Sequence, residues 1–176
     1  ISNLGPAYST TVIYSGGGNI NVNTGGKITI GDGSDNNGSG YSGFGTATSS
    51  QVIWNDGSIF EWNSTNISSP STSGATYFPS VSANVIPIFR FSATPNGSTI
   101  GGNSPTVING LLENNAPISW SNTGTKTFRN GIIGTASITQ GSSTVGQFII
   151  NGTTAKIGGA GSIELNTNGL SISATT

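Results

Sequence analysis

The chain has 176 residues, of which 11 are charged, and a net charge of −1. That length suits one domain with its own core, and the near-neutral balance leaves no electrostatic basis for binding nucleic acid or an anionic membrane surface. With no His and no Cys, the usual nucleophilic triads and the nitrogen- or sulfur-ligated metal sites are excluded, and no apolar run approaches the ~18 residues of a membrane span.

The charged fraction is roughly a quarter of that of an ordinary domain, and 28 residues are Gly. Disorder does not follow, because disordered chains lack β-branched and aromatic residues. Here Ile outnumbers Leu by 21 to 5, with seven Val, seven Phe and three Trp. Such side chains suit a pleated surface better than a helix.

In chain order, no segment keeps a helical period over ten or more residues, and period-2 alternation recurs instead. Residues 19–30 read as strand, Gly-Gly turn and strand, with Ile20, Val22, Ile28 and Ile30 inward. Residues 31–46 are Gly- and Ser-rich and read as a loop. Strand character returns over Gln51–Trp62 around the Asp56-Gly57 turn. Residues 63–80 are polar and interrupted by Pro70 and Pro79, so they read as an excursion. Val85–Phe91 is the most apolar run before another loop at 93–105.

A repeat then begins near Thr106. Asn109-Gly110, Asn130-Gly131 and Asn151-Gly152 are spaced by 21 residues, and Asn168-Gly169 follows after 17. One strand precedes each pair, one follows it, and a third lies farther on at Ile118–Trp120, Ser137–Thr139 and Ser162–Leu165. A period near 20 with strands and no helix has the length of one solenoid coil. Asn-Gly also marks type I′ hairpins, which would give an antiparallel β-sandwich. Equal spacing favours corners, where Asn and Gly tolerate a left-handed backbone. The expected fold is therefore all-β, a right-handed parallel β-helix of one domain over 1–176, loop-rich at 31–105 and regular over 106–176. Asn109, Asn130 and Asn151 would stack as an amide ladder, and Ile149 would face the core.

Ser171–Thr176 keeps the strand pattern without a polar cap. An uncapped solenoid end is a pairing edge. It implies stacking on copies of the chain or on flanking segments of a longer one. No signal peptide is recognisable, so the chain reads as a mature protein or an excised segment.

The segments NGLLENNAPISWSNTGTKTFRNGIIG, QFIINGTTAKIGGAGSIELNTNGLSI and GGNINVNTGGKITIG resemble β-solenoid regions of large adhesin-like surface proteins of Bacteroidetes. The resemblance covers 106–176 well and 12–31 weakly. It implies export to the cell surface, often by the type 9 secretion route, and a role in adhesion or as a stalk. The carboxy-terminal sorting domain of such cargo has no counterpart in the sequence.

Few residues offer chemistry. Paired carboxyls for glycoside hydrolysis would come from Asp56, Glu61 and Glu113. Asp56 fits a turn role, and Glu61, flanked by Phe60 and Trp62, should face solvent. Arg90, Lys126 and Arg129 lack the acidic cluster that would join them in a β-helix lyase. Asp32, Ser34, Asp35 and Asn36 offer hard oxygens for calcium in a Gly-rich turn, the one cofactor considered. Trp54 and Trp62 flank one turn and could stack on sugar rings, whereas Trp120 reads as core. The expected function is non-enzymatic: an extracellular stalk, filament subunit or adhesin passenger segment. A glycan-binding module for polysaccharide and a carbohydrate-active β-helix enzyme are the alternatives.

Overall fold

The computed structural model describes residues 18–31, 52–65, 87–94, 99–100, 107–108, 110–120, 124–141, 145–152 and 155–173. Sixteen strands lie within them, and no helix. In the first half of the chain these are β1 (Ile20–Val22), β2 (Lys27–Gly31), β3 (Val52–Trp54), β4 (Ile59–Asn63), β5 (Ile88–Phe91), β6 (Thr99–Ile100) and β7 (Val107–Ile108). The second half adds β8 (Leu111–Asn114), β9 (Ile118–Trp120), β10 (Gly124–Phe128), β11 (Gly131–Gly134) and β12 (Ile138–Gln140). The last four are β13 (Val145–Asn151), β14 (Lys156–Gly158), β15 (Ile163–Glu164) and β16 (Leu170–Ser173).

Every pairing among these strands is parallel. The largest sheet runs β14-β11-β8-β5-β4-β2. Two four-stranded sheets run β16-β13-β10-β7 and β15-β12-β9-β6, and β1 pairs with β3. From β7 to β16 the chain visits the three larger sheets in one repeating order. The antiparallel sandwich expected as an alternative is therefore incorrect, because Asn-Gly hairpins would pair their flanking strands antiparallel and every pairing among the described residues is parallel. The Gly-Gly turn after β1 is likewise no hairpin. It leads into a different sheet and bonds to the next turn of its kind: Gly25 N–H donates to Gly57 O at 3.0 Å, and Ile59 N–H to Gly26 O at 2.8 Å.

Parallel stacking puts like beside like. On the inner face of the six-stranded sheet, Ile28, Phe60, Phe89, Leu112 and Ile132 follow one another in register, all buried. The neighbouring row holds Trp62, Phe91 and Asn114. Phe128 and Ile150 align in the second sheet, and Ile118 and Ile138 in the third. Edge-to-face contacts bridge the sheets, with ring centroids 5.9 Å apart for Trp54–Phe60 and 5.6 Å for Trp120–Phe128. β4 and β5 thus share one sheet with β8, β11 and β14 of the 106–176 region, and β3 contributes Val52 and Trp54 to the same core.

Ile149 does not face that core. Phe148 and Ile150 are buried, and Ile149 points to the other face of β13. The expected register was off by one, which in a strand exchanges the two faces. Burial also declines along the rows. Ile157, next after Ile132, is 52% exposed, and Ile172, next after Ile150, is 64% exposed. A cavity of about 80 Å³ lies there between Ile132, Ile138, Ile157 and Ile163.

Candidate functional site: a charged row on the six-stranded sheet

Alternation along β4 buries Phe60 and Trp62 and turns Glu61 to the outer face. Register places Glu61 between Thr29 of β2 and Arg90 of β5, and Arg90 opposite Glu113 of β8. With Lys27 one step along β2, four of the chain's 11 charged residues gather on this patch.

Each carboxylate is clasped. Lys27 Nζ pairs with Glu61 Oε2 at 2.5 Å, Thr29 Oγ1 donates to the same oxygen at 3.0 Å, and Ser92 Oγ donates to Oε1 at 2.7 Å. Arg90 Nη2 donates to Glu113 Oε2 at 2.9 Å, and Asn115 Nδ2 to Glu113 Oε1 at 3.0 Å. Glu61 is therefore only 7% exposed, not solvent-facing as its alternation alone implied. Burial would raise its pKa, but the hydrogen bonds from Lys27, Ser92 and Thr29 and the Lys27 charge outweigh that and hold it below the ordinary value.

This geometry is a poor hydrolase. A general acid needs a raised pKa, and Glu61 is held ionised. Glu61 and Glu113 lie two strands apart, roughly 10 Å at the backbone, with Arg90 in the intervening position. Asp56 stays in its turn beside Gly57 (φ 68°), where its backbone carbonyl accepts Thr24 Oγ1–H at 2.7 Å.

The two tryptophans expected to bind glycan are core residues. Trp54 is 4% exposed and Trp62 fully buried, its indole N–H donating to Ser64 O at 3.0 Å. Both rings point into the stack from β3 and β4, so neither offers a face to a sugar. Trp120 is buried as expected. The proposed calcium residues Asp32, Ser34, Asp35 and Asn36 lie outside the described residues. Among those described, no group of three or more acidic side chains could hold a metal.

The amide ladder fails on register. Ile108 pairs with Phe128 and Phe128 with Ile150, offsets of 20 and 22 residues, not a uniform 21. Asn130 is thereby displaced from Asn151 and aligned with the position of Gly152. Asn109 lies outside the described residues. The corners instead depend on close backbone approach. At Gly131 (φ 98°) an added Cβ would collide with Lys156 O, and at Gly152 (φ 128°) with Arg129 O.

Three buried polar residues escaped the sequence reading. Lys126 shares the inner face of β10 with Phe128 and pairs in register with Phe148. Its burial lowers its pKa. The two-residue spacing from Phe128 was the available signal. Asn114 Nδ2 donates to Ala136 O and Ser137 O at 3.0 and 2.9 Å. Gln140 Nε2 donates to Gly146 O at 2.6 Å, and its Oε1 accepts Asn166 N–H at 2.9 Å. Both amides follow inward apolar positions on their strands and bond to neighbouring turns, a role that side-chain periodicity does not reveal.

Neither a family model, nor a curated protein, nor a solved structure matches this chain.

Proposed function

We propose that the chain is a right-handed parallel β-solenoid acting as a structural or adhesive element outside the cell: a stalk, filament subunit or adhesin passenger segment. The observation that carries this reading is the repeated passage through three parallel sheets from β7 to β16, with buried apolar side chains in register along the inner faces, as at Phe89, Leu112 and Ile132. Such a stack derives its strength from backbone pairing between coils and from its shared core. Among the nine charged residues described, five are committed to ion pairs or burial, which supports a mechanical role over a catalytic one.

The rows suit continuation. Ile157 and Ile172 stand in the lines of Ile132 and Ile150, and β14, β15 and β16 are edge strands. A further coil of the same kind would cover them, whether from the same polypeptide or from a second copy. Negative-stain electron microscopy at several concentrations tests this reading. Rods that lengthen into filaments with concentration support self-stacking, and round particles with no long axis would refute the solenoid element itself.

A further inference from the structure

The Asn-Gly pairs carry chemistry of their own. In this dipeptide the glycine backbone nitrogen lies within reach of the asparagine Cγ, and no Cβ obstructs its approach. Three such pairs fall among the described residues, in different surroundings. Asn130 is 8% exposed, and its carbonyl accepts the Lys156 N–H. Gly131 opens β11, tight against Lys156. Asn151 ends β13 in register with Ser173. Asn168, by contrast, is exposed in the turn between β15 and β16. Its neighbour Gly169 (φ 71°) has no atom within 4 Å of where a Cβ would stand.

We propose that Asn168-Gly169 is a site of spontaneous covalent modification, at which Asn168 exchanges its side-chain amide for a carboxylate. Gly169 N attacks Asn168 Cγ, forming an N–Cγ bond, and the Cγ–Nδ2 bond breaks. The leaving nitrogen takes the Gly169 proton and departs as ammonia. Water then opens the five-membered imide. Attack at Cγ gives aspartate; attack at the backbone carbonyl gives isoaspartate, with the main chain rerouted through the side chain. One water enters, one ammonia leaves, and nothing is oxidised or reduced.

The position gives this change a consequence. Gly169 O accepts Phe148 N–H at 3.1 Å and Gln140 Nε2–H at 3.4 Å, and Gln140 also holds Asn166 N–H. The turn is thus latched to the buried Gln140 (2% exposed) and to β13. Isoaspartate adds one main-chain carbon just before Gly169 and a negative charge. Gly169 O moves away from both donors, and β16 is released from β13.

The test is to age the full chain at mildly alkaline pH and map its peptides by mass spectrometry, with fragmentation that separates isoaspartate from aspartate. Conversion at Asn168 is expected to outpace that at Asn130 and Asn151 by about tenfold or more, because residues held in paired strands must first open locally. The difference should vanish in urea. Aged protein should lose hydrogen-exchange protection at the Phe148 amide, whereas Asn168→Gln aged alongside should keep it. Equal rates at the three sites in the folded chain would overturn the proposal. So would an Asn168 that converts only after unfolding. Retained Phe148 protection in the isoaspartate form would overturn the latch.

Discussion

Glu61 and Arg90 face each other in register on β4 and β5, yet their short ion pairs run outward from that rung, Glu61 to Lys27 and Arg90 to Glu113. The row therefore reads plus, minus, plus, minus across β2, β4, β5 and β8. Parallel strands place chemically equivalent positions side by side, where like charges would repel. Alternating sign turns that hazard into cohesion across four strands.

Removing the Glu61 charge tests this row. Glu61→Gln should destabilise the fold by about 1–2 kcal/mol, since it weakens charge-assisted bonds to three donors at a nearly buried position. A carboxylate whose folded pKa is lowered contributes stability that is present above its ordinary value of 4.5 and is lost as pH falls through the folded value. Urea midpoints measured between neutral and acid pH should fall for wild type, with a shallower fall for Glu61→Gln. Parallel curves would mean that Glu61 is not clasped.

Lys126 should behave in the opposite sense. Burial lowers its pKa from 10.5, so the unfolded chain binds more protons than the folded one between the lowered value and 10.5. Stability from this group therefore rises with pH across that window. Lys126→Met should raise the melting temperature at neutral pH and flatten that rise, as seen in thermal scans from neutral to alkaline pH. A lower melting temperature for the variant would show that the ammonium is a net stabiliser.

Two glycines with positive φ should respond unequally to alanine. At Gly169 the space is open, so Gly169→Ala meets only the left-handed backbone cost of about 1–2 kcal/mol. At Gly131 the new methyl collides with the Lys156 carbonyl, so overpacking adds about 1–3 kcal/mol more. Denaturant titration that ranked the two variants equally would mean that the β11–β14 approach is looser than described.

Register on β13 is checked by adjacent substitutions. Phe148→Ala should cost about 3–5 kcal/mol as a large buried ring is lost, while Ile149→Asp on the outer face should remain folded with a small change. Unfolding by Ile149→Asp would restore the opposite register.

The all-β class was legible because it rests on composition and alternation: Ile over Leu, and Ile20 and Val22 two apart. What could not be read was register. A 21-residue spacing averages offsets of 20 and 22, so Asn130 and Asn151 miss each other and Ile149 exchanges faces with Phe148. The two tryptophans misled for a related reason. Trp54 and Trp62 flank one turn in sequence, but that turn joins two sheets whose inner faces share a core, so both indoles are buried. The charged row was invisible because Glu61, Arg90 and Glu113 are separated by 29 and 23 residues and meet only through strand pairing.

The order of the six-stranded sheet is the central claim, and the absence of native cysteine makes it directly measurable. Spin labels at Lys27→Cys on β2 and Lys156→Cys on β14 mark its two edges. Five strand spacings of ~4.8 Å give a backbone separation of roughly 24 Å, and a single distance distribution near that value, broadened by the label arms, is expected. A distribution at markedly shorter distance would place β2 and β14 together and contradict a one-directional stack.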